Sequence, residues 1–172
     1  MLKVKAAVCS VALALSSMAF TDESSYISAN VGRMNITGDP SLKVSPGMAY
    51  VRFGKQYNHY FSAEARLGAG LADDTDMGIT ADIQNMYGVY GRLGTNVSDT
   101  IYPYLIVGYT QVTLETSFLG FSIEDKVDDV SYGVGVDIDI NKNTLFNVEY
   151  ISYLKKHGAE SVGLAIGLTR KF

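Results

Sequence analysis

The chain has 172 residues, of which 17 are glycine, 12 tyrosine and one cysteine, and it carries a formal charge of −4. That length suits a single domain. A lone cysteine excludes a disulfide framework or a multi-thiolate metal centre, and the acidic balance excludes a nucleic-acid surface built on clustered Lys and Arg.

Residues 1–19 read as a secretory signal peptide. Lys3 and Lys5 form a charged start, Ala6 to Leu15 an apolar run, and Ser17-Met18-Ala19 a small-residue cleavage site. The run is far shorter than the ~20 apolar residues of a membrane-spanning helix. Cys9 lies too early in it to be a lipoprotein acylation site. Cleavage after Ala19 leaves residues 20–172 as the working domain, without cysteine and more acidic by two charges.

From residue 26 onward the period is two, the period of a strand. Segments near 25–36 and 47–56 lead to Phe61–Leu71, where Phe61, Ala63, Ala65, Leu67, Ala69 and Leu71 oppose Ser62, Glu64, Arg66, Gly68 and Gly70. Segments near 83–94 and 101–114 follow. Then comes 130–139, with Val130, Tyr132, Val134, Val136 and Ile138 against Ser131, Gly133, Gly135, Asp137 and Asp139. Segments near 145–154 and 162–169 complete a set of eight. The connections near 37–46, 57–60, 72–82, 95–100, 115–129, 141–144 and 155–160 alternate long and short. The expected fold is therefore all-β: an eight-stranded antiparallel up-and-down barrel with its short turns at one end.

The polar face decides which solvent surrounds the barrel. A water-facing strand carries bulky polar side chains, whereas this face is largely Gly, Ser and Asn with a few charges. Repeated glycine fits the crowded interior of a narrow closed barrel, and the continuous apolar face then points into lipid. Aromatic residues are expected in two interfacial belts. Phe53, Tyr57, Tyr60, Phe61, Tyr102, Tyr104, Phe146 and Phe172 fall at the short-turn end, and Tyr87, Tyr132, Tyr150 and Tyr153 toward the other.

The stretches Tyr26-Ile-Ser-Ala-Asn-Val-Gly32, Met86-Tyr-Gly-Val-Tyr-Gly-Arg92, Tyr102-Pro-Tyr-Leu-Ile-Val-Gly-Tyr109 and Ser131-Tyr-Gly-Val-Gly-Val-Asp137 resemble those of the small eight-stranded outer-membrane barrels of Gram-negative bacteria, the OmpA/OmpX and opacity-protein type. The ending Gly167-Leu-Thr-Arg-Lys-Phe172 looks like the terminal signal read by the outer-membrane insertion machinery, with Phe172 and Leu168 as its key residues. Arg170 departs from the aromatic or apolar residue often found two positions before the end. The resemblance implies an outer-membrane address, contact with lipid and lipopolysaccharide, and short turns and both termini in the periplasm. It leaves the function open, since members act as adhesins, tethers or complement-evasion factors.

The length is too short for the sixteen strands of a wide pore, and an eight-stranded interior is filled by side chains. The expected inward charges are Arg52, Arg66 and Arg92 against Glu64, Asp137, Asp139 and Glu149, with Arg52 opposite Glu64 if the first short turn centres on Asn58. Such a set reads first as a buried structural ion network and second as a gated narrow ion path. His157, Glu160 and Ser161 cluster near the last long connection, and His59 lies in a short turn; a lipid-modifying enzyme built on them is the remote reading. No catalytic residue, metal or cofactor is assigned. Asp74-x-Asp76-x-Gly78 matches part of a calcium loop but lacks the remaining ligands.

The third long connection is acidic, with Glu115, Glu124, Asp125, Asp128 and Asp129 against Lys126, yet it holds Phe118, Leu119, Phe121 and Ile123. It is expected either to extend two strands as a hairpin or to form a contact patch for a host or surface partner. The expected role is that of a monomeric structural or surface-interacting barrel, with a minor porin or narrow channel as the alternative.

Overall fold

The structure, a computed structural model, describes residues 24–38, 43–118, 121–156 and 159–172. The expected signal peptide at 1–19 lies outside these residues, as do Leu119 and His157. Eight long strands are present: β1 Ser25–Thr37, β2 Gly47–Gln56, β3 Phe61–Ala72, β4 Ile79–Gly94, β5 Ile101–Phe118, β6 Phe121–Asn141, β7 Thr144–Lys156 and β8 Ala159–Lys171. Each runs antiparallel to the next. β8 returns to β1, from Tyr26↔Lys171 to Thr37↔Glu160, and closes the barrel. Two short strands, Lys43–Val44 and Asp74–Asp76, pair with β1 and β4 at the long-loop end.

The burial pattern is that of a soluble protein turned inside out. Arg52 and Arg66 are 0% exposed, while the outward Val89, Leu105 and Val107 are 63%, 60% and 58% exposed. In water such a wall would be unstable; its natural solvent is hydrocarbon, in which only helices and closed barrels satisfy their backbones. The inward face needs glycine because tyrosine rings lie flat across it. A Cβ on Gly135 would overlap the ring of Tyr104, and one on Gly163 the ring of Tyr153.

Four expectations are corrected by the coordinates. The first short turn centres on His59, so Arg52 stands opposite Arg66, and Gly54 opposite Glu64. The Asn58 side chain accepts from the amides of Tyr60 and Phe61, both at 2.9 Å, and fixes this turn. A two-residue change of partner leaves every side chain on its own face, so alternation alone cannot detect it.

The connection at 72–82, expected as loop, is largely strand, whereas 115–129 extends two strands as a hairpin, in line with the expectation. Asp74–Asp76 folds back on Ile79–Ala81 through Met77 and Gly78, whose φ angles of 50° and 78° are those of a type I′ hairpin turn. β5 and β6 pair without interruption from Ile101↔Ile138 to Phe118↔Phe121.

Of the aromatic belts, Tyr57, Tyr60 and Phe61 face outward at the short-turn end, and Tyr87, Tyr132 and Tyr150 at the other. Tyr104 and Tyr153 instead point inward and are buried. Position along a strand suggested the belt, but the two-residue period puts them on the lumen side, where the Tyr104 hydroxyl finds a carboxylate partner.

The fourth correction concerns Asp139. It lies at the short-turn mouth, exposed, with Lys171 Nζ 3.5 Å from its Oδ1. Two residues beyond the buried Asp137, it is past the depth at which the wall excludes solvent.

The lumen has two storeys. Nearer the short turns lie the charges, with Ser28, Asn147 and Thr169 around them. Above them Met34, Met48, Ile83, Met86, Val112, Ile151 and Tyr153 form a hydrophobic cluster, each 2% exposed or less.

Candidate functional site

Two regions bear chemistry: the ion network inside the wall and the sheet that projects beyond it. In the network, Arg52, Arg66 and Arg92 meet Glu64, Glu149 and Asp137, so the formal charges balance. Arg66 Nη1 and Nη2 donate to the two Glu149 oxygens at 2.7 and 2.9 Å, while its Nε and Nη2 reach Glu64 Oε2 at 3.0 and 2.6 Å. Arg52 Nη1 donates to Glu149 Oε1 at 2.7 Å and lies 3.5 Å from Glu64 Oε1. Its Nη2 donates to Ser28 Oγ and Thr169 Oγ1, both at 3.0 Å. Arg92 bridges Glu64 Oε1 at 2.9 Å and Asp137.

Tyrosines complete the shell. Tyr26 donates to Glu64 Oε1 at 2.7 Å, Tyr50 to Glu149 Oε2 at 2.8 Å and Tyr104 to Glu149 Oε1 at 2.7 Å. The Arg66 guanidinium lies 4.4 Å from the Tyr90 ring centroid, and that of Arg92 3.5 Å from the Tyr104 centroid, both within cation–π range. Buried charges are tolerable when paired and hydrogen-bonded in this way. The network therefore serves as a set of rivets between strands on opposite sides of the lumen.

The tyrosine shell and the methionine layer are the parts that sequence reasoning missed. The signal was present: Tyr26 and Met34 share the parity of Gly32, Tyr50 and Met48 that of Arg52 and Gly54, Tyr90 and Met86 that of Gly88 and Arg92, and Tyr104 that of Gly108. At the short-turn mouth, a cavity of about 210 Å³ is lined by Tyr26, Arg92, Asp137, Asp139 and Lys171, among others.

The projecting sheet begins where β7 leaves β6. The outermost β6–β7 pair is Tyr132↔Ser152, yet β6 continues outward to Phe121 beside β5, and β5 beside β4 as far as Ile79↔Phe118. Residues directly opposite share a face. One face presents Ile79, Phe118, Phe121 and Ile123, the last three 49%, 81% and 71% exposed. The other carries Asp82, Glu115 and Glu124 in one row across three strands, with Gln84 Nε2 donating to Glu115 Oε2 at 2.8 Å.

Asp74 and Asp76 spend their carboxylates on the first long connection, accepting from the amides of Ser45 at 2.6 Å and Lys43 at 3.0 Å. They thus clamp one loop to the next. Of the residues considered for catalysis, Ser161 is buried, Glu160 lies at the strand end beside it, His59 sits in the turn at the opposite end of the barrel, and His157 is outside the described residues. Leu168 faces outward and is 54% exposed, Arg170 Nη1 lies 3.4 Å from Thr144 Oγ1, and the Phe172 amide donates to Ser25 O at 3.0 Å.

Comparison with known proteins gives a consistent picture. A family model described as the outer membrane protein beta-barrel domain matches residues 7–172. Ail, the attachment invasion locus protein of Yersinia pestis, crystallised with the heparin analogue sucrose octasulfate, superposes with a TM-score of 0.64 at 16% identity, covering 86% of this chain and 97% of that one. Neisserial surface protein A gives 0.63 at 14% identity, over 87% and 97% of the two chains. The N-terminal barrel domain of Pseudomonas aeruginosa OprF gives 0.55 at 11%, over 83% and 96%. At such identities the likeness is one of fold. A search of curated protein sequences found no match.

Proposed function

The chain belongs to the outer membrane protein beta-barrel domain family, and on that premise we propose that it is a surface-displayed outer-membrane barrel whose working part is the sheet projecting from β4, β5 and β6. The observation that carries this reading is the length of β6. Its 21 residues are about twice the ~9–11 that a tilted strand needs to cross a bilayer, so roughly half of it stands clear of the membrane. A purely structural barrel has no use for such an extension, and long exposed sheets are costly to keep soluble.

In this reading residues 1–19 direct export and are removed, and Phe172 with Leu168 presents the terminal strand to the insertion machinery. The short turns and both termini of the remaining monomeric chain face the periplasm. The outward apolar wall contacts lipid and lipopolysaccharide. The ion network and the methionine layer hold the barrel rigid and closed, which argues against a porin or narrow channel. The Yersinia barrel Ail was crystallised with a sulfated polyanion mimic; the acidic row Asp82, Glu115 and Glu124 disfavours such a ligand here, so the surface contact is with a different class of partner.

The test is to replace residues 114–125 by Asn-Gly, closing β5 and β6 at the Thr113↔Lys126 pair with a two-residue hairpin turn. Bacteria displaying either form are compared for heat-modifiable migration of the barrel and for attachment to protein-coated surfaces. Intact migration with lost attachment is expected; unchanged attachment overturns the reading.

A further inference from the structure

We infer that the lipid-facing wall of β8, β1, β2 and β3, at its short-turn end, holds an anionic phospholipid. Its phosphate sits between Arg170 and Lys55, and one acyl chain lies in the groove beside Lys55. This gives the bilayer contact proposed above a lipid class and a place, and it rests on that membrane placement.

Arg170 is exposed on the outward face, beside the apolar Leu168 and Ile27. Its row crosses the seam as Thr144↔Arg170↔Ile27↔Phe53↔Ala65. Lys55, also exposed, lies one row nearer the short turns, opposite Ser25 on one side and Ala63 on the other. Residues directly opposite share a face, so both cations look into one sector of the membrane. Their Cα atoms are two strand spacings and one row apart, roughly 12 Å. Side chains of this length can converge on one headgroup.

The sector is positive. Among the described residues, the outward positions of 25–31, 49–55, 61–67 and 164–170 carry no aspartate or glutamate. The α-carboxylate of Phe172, beside Ser25, sets one negative charge against two positive ones. Arg170 makes one hydrogen bond among the described residues, to Thr144 Oγ1 at a long 3.4 Å. Most of the five guanidinium donors therefore remain for a phosphate fork. Elsewhere on the short-turn belt the outward residues are neutral, as at Leu93, Leu105 and Ile138.

Beside Lys55 the wall is hollowed by a groove of about 620 Å³. Its floor is Ala63, Ala65 and Gly91, with Ala63 opposite Gly91, and its sides are Phe53, Phe61 and Val107. The Phe61 ring leans over Gly91, where an added Cβ would meet it at 3.4 Å. A chain entering under Lys55 thus meets apolar walls, while its headgroup stays at the aromatic level of the interface. Clustered basic residues at a membrane surface attract anionic lipid, and a zwitterionic headgroup would bring an ammonium that both cations repel. The headgroup is therefore a phosphodiester without a compensating amine.

The full chain is folded in phosphatidylcholine nanodiscs holding a trace of a probe lipid with a photoreactive diazirine on one acyl chain. The probe is either phosphatidylglycerol or phosphatidylcholine, and labelled peptides are mapped by mass spectrometry. Over 53–67 the phosphatidylglycerol probe is expected to label about fivefold more than the phosphatidylcholine probe, whereas over 132–138 the two should label alike. Arg170→Gln with Lys55→Gln is expected to bring the probes level over 53–67. Ala63→Leu with Ala65→Leu fills the floor, keeps the charges, and should move the label off these residues.

Equal labelling by the two probes in the parent would leave an ordinary lipid annulus and overturn the inference. So would a preference that survives the double Gln variant, one equally strong over 132–138, or label retained after the groove is filled. A chain that yields no heat-modifiable barrel in lipid would remove the membrane reading itself. A barrel that inserts without headgroup preference loses only this lipid site.

Discussion

Arg66 and Glu149 meet across the lumen as a bidentate pair, at 2.7 and 2.9 Å, although their strands β3 and β7 share no edge. Glu149 also accepts from Arg52, Tyr50 and Tyr104. Glu149→Gln keeps the shape and removes the charge, leaving two buried guanidiniums with Glu64 as their remaining close carboxylate. Breaking a buried pair from one side costs about 3–5 kcal/mol. The variant is therefore expected to lose folded barrel at a clearly lower urea concentration, scored by the folded and unfolded bands on unheated gels. A midpoint equal to that of the parent would mean that the network carries little of the stability.

The same network bears on conduction. Glu64 touches all three arginines, so Glu64→Gln is the substitution most apt to loosen a gate. Above it, however, Met34, Met48, Ile83, Met86, Val112 and Ile151 form a buried apolar layer, and ions do not cross apolar packing without large desolvation cost. Neither the parent nor the variant is expected to show unitary currents in planar bilayers. Currents that appear only in Glu64→Gln would support the channel alternative.

How much of this was legible in the sequence follows from the two-residue period. Parity along β3 and β6 placed Glu64, Arg66 and Asp137 on the lumen side and Leu67 and Val134 in lipid without any tertiary information. Parity says nothing about partners two residues apart, so the Arg52–Arg66 register had to come from the Asn58 turn. It also gives direction without depth: Asp139 shares the parity of the buried Asp137 yet stands at the mouth. Tyr104 and Tyr153 show the opposite failure: propensity and position along the strand point to a belt, whereas parity puts both side chains in the lumen. The Asp74–Asp76 hairpin depended on Met77 adopting a positive φ, for which a methionine offers no sequence signal.

Tyr104 illustrates how close the interior packing is. Its ring occupies the space over Gly135, and its hydroxyl donates to Glu149 at 2.7 Å. Tyr104→Phe removes that hydrogen bond and the acceptor that Arg52 Nη1 reaches at 3.5 Å, and a loss of about 1.5–3 kcal/mol is expected for the bond to the charged carboxylate. Gly135→Val overfills the site, displaces the ring and disturbs the Arg92 contact at 3.5 Å. It is expected to cost at least as much, since overpacking alone runs to about 1–3 kcal/mol. Urea midpoints of both variants, and of the double variant Gly135→Val/Tyr104→Ala, provide the measurement. Partial recovery in the double variant would identify the ring as the clashing partner.

Phe172 ends the chain next to β1, with its amide donating to Ser25 O just beyond the β1–β8 seam that closes the barrel. This backbone hydrogen bond contributes about 0.5–1.5 kcal/mol to the folded state, alongside a further contact that Phe172 makes. Deleting Phe172 is expected to lower the urea midpoint of barrel refolded in detergent only modestly while sharply reducing the amount inserted in the outer membrane of living cells. A parallel loss in both measurements would assign Phe172 to stability rather than to recognition by the insertion machinery.

Glu124 faces Glu115 across the β5–β6 ladder, and Asp82 faces Glu115 from β4, an arrangement that like-charge repulsion opposes. Glu124→Lys converts the repulsive pair into an attractive one without touching the barrel wall. Amide exchange over 114–125 is expected to slow in the variant, the effect shrinking as salt rises because Glu124 is exposed and Glu115 and Asp82 are only half-buried. Exchange near Arg66 and Glu149 should stay the same, since the network lies inside the wall and the row outside it. Faster exchange over 114–125 in the variant would mean that Glu124 is held by a favourable contact stronger than the repulsion, and the projecting sheet would then owe part of its order to that acidic row.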